Sequence, residues 1–370
     1  MQDHVIDMPL RSVAVVLGTR PEIIKLANVI RVLGSAARVI HTGQHYDFGL
    51  SASFLDSFGI GEPSRFLGIG GKTRAQQIGQ AVNALSGVFE ESPPAVLVVQ
   101  GDTNTTMAGA LAANALEIPL VHVEAGLRSH DRRMPEEHNR VVTDHLGDLL
   151  CAPTELNRHN LLSEGIDSSR VLVTGNTVVE AVQQLMPAPA QRAALLGGYG
   201  LGPGEFVLST FHRPENVDDA DRFSTIVKQL SSLPYAVVLP LHPRSRDRAA
   251  RFGLDRDLEA IKVIDPIGYR DFLGLSAESA FLVSDSGGIQ EEASIYKRPV
   301  VVVRRSTERP EVLGTFARLV EPDHIGATVS SWLADLAGIH HELSELPSPY
   351  GDGSASDRIV GALEELVEGG

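Results

Sequence analysis

Short apolar runs alternate with longer stretches of helical periodicity along almost the whole chain. In the first half, the runs that predict strands are residues 12–17, 38–42, 95–100, 120–123 and 171–174. Each is short and apolar throughout, which is typical of parallel strands buried on both faces. Between them, the pattern predicts helices over residues 21–33, 74–90, 105–116 and 136–146. This alternation indicates a doubly wound α/β domain.

A second series of the same kind follows a stretch rich in Pro, Gly and Ala at residues 186–204. Its predicted strands are residues 206–210, 236–240, 262–264, 280–284 and 300–303. We therefore expect two Rossmann-like domains, at residues 1–176 and 177–350, and a last helix at about 354–370 that can pack back onto the first. Because parallel sheets bind ligands at the carboxyl ends of their strands, the two domains are expected to face a shared cleft.

Composition narrows the choice of partners. The formal net charge of −15 argues against nucleic acid or an anionic membrane as the main partner. No stretch approaches the roughly 20 apolar residues that span a bilayer, and residues 1–11 lack an apolar leader. A cytoplasmic protein is the expectation. The single cysteine, Cys151, lies in an apolar run and is interpreted as a buried structural thiol.

Several cofactor motifs are absent from the sequence. No Gly-x-Gly-x-x-Gly follows the first strand, so dinucleotide binding loses its main support. Gly71-Lys72-Thr73 resembles the end of a P-loop, but Phe66 stands where the leading glycine belongs. The 13 histidines include no His-Glu-x-x-His pair. We therefore expect neither a metal nor another cofactor.

Three acidic side chains are expected at one edge of the first sheet. Asp102 follows the third strand, Glu124 follows the fourth, and Glu136 opens the next helix. Any one of them can be a helix cap, a role worth about 1 kcal/mol. Three acids that converge with few compensating charges instead favour raised pKa values and general acid/base chemistry. His212, beside Arg213 after the first strand of the second domain, is a further catalytic candidate.

Two segments suit a phosphorylated ligand. The turn 18–22 leads into a helix that carries Arg20 and Lys25, although an Arg–Glu surface pair explains it equally well. In the second domain, Ser286, Gly287 and Gly288 open a helix with bare backbone N–H groups, a pattern typical of a diphosphate site. Glu292, one turn further, is placed to accept hydrogen bonds from ribose hydroxyls.

Taken in order, these strings resemble the UDP-N-acetylglucosamine 2-epimerase family. No single piece is decisive, but the ordered set is specific and runs over roughly residues 12–320. The matching pieces are residues 18–22 with Lys25, 42–47, 101–105, 122–128, 135–140, 175–177, 212–216, 284–292 and 307–311.

The resemblance implies a fold like that of the B-type glycosyltransferases, with UDP held mainly by the C-terminal domain. It implies that Ser286, Gly287 and Gly288 hold the diphosphate, that Glu292 holds the ribose and that Ile267 and Phe272 contact the uracil. Arg20 and Lys25 would reach the nucleotide from the other domain. The family's proposed catalytic positions correspond to Asp102, Glu124, Glu136 and His212. A homodimer and a place in cell-surface polysaccharide biosynthesis are also implied.

The chemistry that the resemblance implies is elimination followed by re-addition. A base removes the proton on C2 of the sugar while UDP leaves from C1, which gives a 2-acetamidoglucal intermediate. Reprotonation on the opposite face and return of UDP give UDP-N-acetylmannosamine. Arg20, the amides of 286–288 and His212 would stabilise the leaving charge. Which carboxylate is the base and which the acid stays open.

Two departures from the family pattern keep alternatives open. Pro214 stands where a second arginine usually follows the His-Arg pair, and the stretch between 311 and 314 is short. The first departure affects an allosteric substrate site, of which Gln44, His45 and His242 are retained. The alternatives are a hydrolysing epimerase that releases UDP and N-acetylmannosamine, a relative acting on another nucleotide sugar, a glycosyltransferase of the same fold, and a non-catalytic UDP-sugar sensor.

Overall fold

The computed structural model describes residues 12–44, 55–56 and 58–369, except for the side chain of Arg244. These residues belong to two compact units. The first consists of the described parts of 1–181 and 350–370, and the second of 182–349.

The first unit is built on a parallel sheet in which β1 pairs with both β2 and β4. The strand order is β3-β2-β1-β4-β5-β6-β7. The strands are β1 (Val13–Leu17), β2 (Ala37–His41), β3 (Arg65–Phe66), β4 (Val96–Gln100), β5 (Leu120–Val123), β6 (Leu149–Ala152) and β7 (Val171–Val173). The helices are α1 (Arg20–Leu33), α2 (Arg74–Glu91), α3 (Asn104–Ala115), α4 (Pro135–Leu146), α5 (Glu155–Ser163) and α6 (Val178–Leu185).

Helix α6 continues into the second unit, whose sheet is also parallel. Its strand order is β10-β9-β8-β11-β12-β13. The strands are β8 (Phe206–Thr210), β9 (Ala236–Pro240), β10 (Lys262–Ile264), β11 (Phe281–Ser284), β12 (Val300–Val303) and β13 (Ala317–Val320). The helices are α7 (Pro189–Tyr199), α8 (Pro214–Val217), α9 (Ala220–Ser231), α10 (Pro243–Arg251), α11 (Asp255–Leu258), α12 (Tyr269–Glu278), α13 (Gly287–Tyr296), α14 (Ile325–Leu333) and α15 (Leu336–Glu345).

The last helix, α16 (Ala355–Glu368), returns to the first unit and packs against α1. Ser356 donates its backbone N–H to Glu180 Oε1 over 2.8 Å, and the Arg358 guanidinium donates to the Thr174 carbonyl over 2.9 Å. Because Ser356 and Glu180 are both buried, the first of these bonds is shielded from water, and both hold the end of the chain to this unit.

Burial explains why the central strands form. All five residues of β1 and of β4 are buried, so both faces of the sheet must be covered by helices. The second unit is organised around β8 and β11, which are buried and paired in register. The predicted fold class, two doubly wound α/β domains, is confirmed.

Three strands were not predicted from the sequence, namely β3, β6 and β13. Strand β6 is four apolar residues long, and periodicity does not distinguish so short a run from a buried turn. Strand β13 lies at the edge of its sheet and carries the exposed Arg318, which interrupts its apolar pattern. No helix among the described residues is long and apolar enough to cross a membrane.

Candidate functional site

The two acids predicted after β4 and β5 are neighbours at one edge of the first sheet. Gln100 and Val123, the last residues of these strands, are paired in register. The Gly101 amide donates to the Val123 carbonyl over 3.0 Å, which extends the pairing by one step. Asp102 and Glu124 therefore leave adjacent strands at the same level.

Asp102 is held by helix α4. Arg140, whose side chain is almost fully buried, donates from Nε and Nη2 to Asp102 Oδ2, the first bond being 3.2 Å long. Asn139 Nδ2 donates to the Asp102 backbone carbonyl over 2.9 Å. The Asp102 side chain stays 27% exposed, so it keeps access to solvent or a ligand while its position is fixed.

Glu124 is paired with Lys25 of α1. Lys25 Nζ donates to Glu124 Oε2, and Asn176 Nδ2 reaches the same oxygen at 3.2 Å. All three residues are buried. The expectation of few compensating charges is wrong, because a cation lies against each of the two strand-end acids. The structure places Lys25 on a carboxylate, whereas the sequence had assigned it to the nucleotide.

Glu136 and Glu137 both lie in the first turn of α4 but have different surroundings. Glu136 is half-buried, and Glu137 is buried, where it accepts from the Ser129 and His130 amides and from Arg140. Burial alone would raise the pKa of Glu137, but these hydrogen bonds and the charge of Arg140 lower it. Glu137 thus holds the loop before α4, and Glu136 is the acid left accessible.

The turn after β1 contains a fully buried carboxylate, Glu22. It accepts from the Gly18 amide and the Thr19 hydroxyl on one oxygen, and from the Thr103 and Thr106 hydroxyls on the other. Burial raises the pKa of Glu22 to about 7, although these four bonds act in the opposite direction. Glu22 therefore ties the β1 turn, which carries Arg20, to the turn that carries Asp102.

The raised pKa of Glu22 predicts that the first unit loses stability as pH rises. An acid whose pKa is about 7 when folded and 4.5 when unfolded binds more protons in the folded state between these values. Glu22→Gln stays neutral and can turn its amide towards the threonine hydroxyls. Relative to wild type, this variant should gain about 2 to 3 kcal/mol of stability between pH 5 and pH 8.

Thiol labelling measures this effect, because the only cysteine, Cys151, is buried in β6 of the same unit. The ratio of labelling rates of variant and wild type at each pH removes the intrinsic pH dependence of the thiol reaction. Glu155→Gln, on the surface of α5, is the matched control and should give a constant ratio. A constant ratio for Glu22→Gln as well would contradict the prediction.

In the second unit, His212 is oriented by Asp285. His212 Nδ1 lies 3.1 Å from Asp285 Oδ1, and the amides of His212 and Arg213 donate to the same carboxylate over 3.2 and 3.0 Å. Burial alone would raise the pKa of Asp285, but bonds and charge from His212, with Asn216 and Arg213, lower it. The imidazole itself is 61% exposed, so a fixed carboxylate holds an accessible histidine.

Helix α13 begins with the proposed anion site. Ser286 is its N-cap residue, and Ser286, Gly287 and Gly288 are all half-buried. A Cβ at Gly287 would lie 2.6 Å from Arg309 Nη1 and 2.9 Å from Glu308 Oε1. A side chain at Gly287 would therefore displace the buried Arg309–Glu308 pair, whereas a Cβ at Gly288 would meet nothing closer than 3.8 Å.

The remaining binding candidates lie along α12 and α13. Tyr269 Oη donates to Glu292 Oε1 over 2.8 Å, so Glu292 is held in place by a residue that the sequence reasoning did not single out. Ile267 and Phe272 flank the start of α12 and are both half-buried. They therefore keep apolar surface that a planar ring can cover.

A comparison with protein families matches residues 33–364 to the model described as UDP-N-acetylglucosamine 2-epimerase. The chain belongs to this family. A UDP-N-acetylglucosamine 2-epimerase of Methanocaldococcus jannaschii is 38% identical over 95% of this chain and 98% of its own length. The UDP-2,3-diacetamido-2,3-dideoxy-D-glucuronate 2-epimerase of Pseudomonas aeruginosa is 36% identical over 96% of this chain and 100% of its own.

Solved structures of epimerases share the fold. The Methanocaldococcus jannaschii enzyme, crystallised with UDP-GlcNAc and UDP, has a TM-score of 0.83 and covers 95% of this chain and 99% of its own. The Neisseria meningitidis epimerase bound to UDP-GlcNAc is 33% identical, with a TM-score of 0.86, and covers 95% and 99%. The epimerases have the GT-B-like fold, so the expected fold type is confirmed. The chain is an isomerase.

Several residues of this epimerase site were missed from sequence. Arg140 pairs with Asp102, Asp285 with His212 and Arg309 with Glu291. Each of them lies inside a string that matches the family, but the sequence pattern assigned it no separate role. Of the expected allosteric residues, Gln44 accepts from the Thr105 amide over 2.8 Å, while His45 lies outside the described residues. Pro214 begins α8.

Proposed function

We propose that this epimerase interconverts UDP-N-acetylglucosamine and UDP-N-acetylmannosamine. The observation that carries the proposal is the pair of acids at the ends of β4 and β5, each held by a buried cation. Relatives that carry this activity in their names match nearly the whole chain. Two related structures contain UDP-GlcNAc, which supports the same substrate here.

The proposed reaction is elimination and re-addition. One carboxylate takes the proton from C2, and the C2–H electron pair forms the C1–C2 double bond. The C1–O bond breaks and UDP leaves with its electron pair. A proton then returns to C2 on the opposite face and UDP re-forms the bond to C1. Lys25 holds Glu124 and Arg140 holds Asp102, so each carboxylate is fixed at the end of its strand for proton transfer with C2.

The leaving UDP is assigned to the N-terminus of α13. Backbone N–H groups at the start of a helix and its dipole favour a diphosphate there. Gly288 permits close approach, because even a Cβ at this position would meet nothing closer than 3.8 Å. Arg20 and His212 are assigned to the same developing charge, and Ile267, Phe272 and Glu292 to the uridine. Since UDP itself is the leaving group, the reaction needs no redox cofactor.

A second candidate substrate has its own support. The Pseudomonas aeruginosa relative carries the name of a 2-epimerase for a diacetamido-glucuronate, and its identity to this chain is close to that of the N-acetylglucosamine enzymes. The C2 chemistry is the same for both sugars. A hydrolysing outcome is a third candidate, in which water replaces UDP at C1 and free N-acetylmannosamine is released.

The test is incubation of the purified protein with each UDP-sugar in D2O, followed by NMR. For UDP-N-acetylglucosamine we expect reversible formation of UDP-N-acetylmannosamine, with deuterium at C2 of both. Free N-acetylmannosamine and UDP would support the hydrolysing candidate instead. Turnover of the UDP-linked diacetamido-glucuronate alone would contradict the proposed substrate but would support the proposed epimerisation at C2. Gel filtration tests the homodimer, and the cytoplasmic location expected from the sequence stays part of the proposal.

A further inference from the structure

A buried histidine, His122, lies on the strand that ends directly before Glu124. It belongs to β5 and is fully buried. Its Nε2 is 2.8 Å from the carbonyl oxygen of Gly101, the residue before Asp102. Its Nδ1 is 2.7 Å from Oδ1 of Asp144 on α4. Both ring nitrogens therefore face an oxygen that can only accept, provided that Asp144 is ionised.

The surroundings of Asp144 favour its ionised form. Its Oδ2 accepts from Arg128 Nη1 at 2.7 Å and from the Gly126 amide at 3.2 Å. Burial alone would raise the pKa of Asp144, but the charges and hydrogen bonds of His122 and Arg128 lower it. A neutral imidazole would leave one ring nitrogen and one oxygen facing each other with lone pairs only, in a place that water does not reach.

The charges around this pair balance when both ring nitrogens carry hydrogen. Arg128 is matched by Glu164, which accepts from its Nε and Nη2 over 2.7 and 2.6 Å. His122 and Asp144 then form the second pair. Two further ionisable groups lie beside this cluster. His145 is 3.7 Å from Glu164, and Arg170 donates to the backbone of α4 and of Gly147.

The cluster holds the backbone at both catalytic turns. His122 contacts Gly101, directly before Asp102, and Asp144 holds Gly126, two residues after Glu124. Both glycines have positive φ values, 72° and 84°. Because glycine has no side chain, neither residue holds its turn by side-chain packing. Beside the direct bond from the Gly101 amide to the Val123 carbonyl, a chain of hydrogen bonds that passes through the imidazole therefore links the two turns.

We propose that His122 is a positioning residue that, as a buried imidazolium paired with Asp144, fixes the turns of Asp102 and Glu124 relative to each other. This inference rests on the proposed function for its effect on catalysis. His122 does not touch the substrate in this proposal. It acts through the Gly101 carbonyl and, by way of Asp144, through the Gly126 amide.

The chain offers matched variants, because asparagine and glutamine each retain one of the two donors. In His122→Asn the amide nitrogen corresponds to Nδ1 and can reach Asp144. In His122→Gln it corresponds to Nε2 and can reach the Gly101 carbonyl. His122→Phe removes both bonds, and Phe89→Leu, in the hydrophobic core of the first unit, is the control for a general loss of packing.

We expect each single-donor variant to lower kcat about 10- to 100-fold with KM changed less than about threefold, since displaced catalytic groups cost turnover more than binding. Phe89→Leu, compared at a temperature equally far below its own Tm, should keep wild-type kcat. If His122→Gln and His122→Asn keep kcat within twofold, or if their losses match that of Phe89→Leu, the positioning role is wrong.

Histidine-selective ¹⁵N NMR tests the charge state without using activity. The His122 signal, assigned by its loss in His122→Gln, should show both ring nitrogens protonated at pH 7.5. A His122 signal with one unprotonated ring nitrogen would contradict the proposed imidazolium. Wild-type protein that shows this signal but epimerises no UDP-sugar would refute the proposed function and leave the buried pair standing, so the two failures are distinguishable.

Discussion

Asp102→Asn protein should retain its fold and its affinity for UDP but lose turnover by about 10² to 10⁴-fold, the range that a general acid or base contributes. The substitution is nearly isosteric, and its side-chain oxygen can still accept from Arg140. Arg140 also keeps its bond to Glu137, so no buried charge is left without a carboxylate. The loss should therefore lie in kcat rather than in stability.

The measurement is the rate of deuterium entry at C2 together with UDP binding by calorimetry. Asp167→Asn is the matched control, because Asp167 is a surface carboxylate that only caps the turn at 168–170. We expect this control to keep the wild-type rate. Wild-type turnover in Asp102→Asn would remove Asp102 from the proposed chemistry, and a parallel loss of UDP affinity would indicate a binding role instead.

Arg309→Leu should destabilise the second unit by about 3 to 5 kcal/mol, the cost of breaking a buried ion pair from one side. Arg309 donates from Nε to Glu291 Oε1 over 2.7 Å and from Nη1 to Glu308. Both glutamates are buried, and Glu291 is fully inaccessible. Leucine fills part of the volume but leaves Glu291 without this guanidinium.

Trp332 provides the probe, because it is the only tryptophan and is buried in α14 of the same unit. Urea unfolding followed by its fluorescence gives the free energy of unfolding. Arg305→Leu is the control, since Arg305 is exposed, and it should change stability by less than about 0.5 kcal/mol. Arg309→Lys keeps the charge without the planar fork and should fall between the two. Equal stability of Arg309→Leu and wild type would contradict the prediction.

The strand ends were predictable because parallel sheets place their ligand-binding turns at one edge. A residue such as Asp102 can be found by locating the strand before it, and the same holds for Glu124 and His212. Gly287 could also be chosen from the sequence as a candidate, since glycine at the start of a helix after a strand is typical of an anion site.

The partners of those residues could not be predicted, because they come from elements distant in sequence. Lys25 and Glu124 are separated by 99 residues, and Asp102 and Arg140 by 38. Sequence reasoning assigned Lys25 to the nucleotide because a lysine near a glycine turn is a phosphate signal. Its actual neighbour depends on how α1 lies across the sheet, which periodicity does not specify.

The backbone at Glu124 has a consequence for how this site can change over evolution. Glu124 adopts φ 69°, a left-handed conformation that costs a non-glycine residue roughly 1 to 2 kcal/mol. Glycine would relieve this cost. Yet Glu124→Gly alone takes the carboxylate from buried Lys25, which costs about 3 to 5 kcal/mol. Exchange of Glu124 for glycine therefore passes through a less stable single mutant. The buried Lys25 thus favours retention of the acid, in addition to selection on activity.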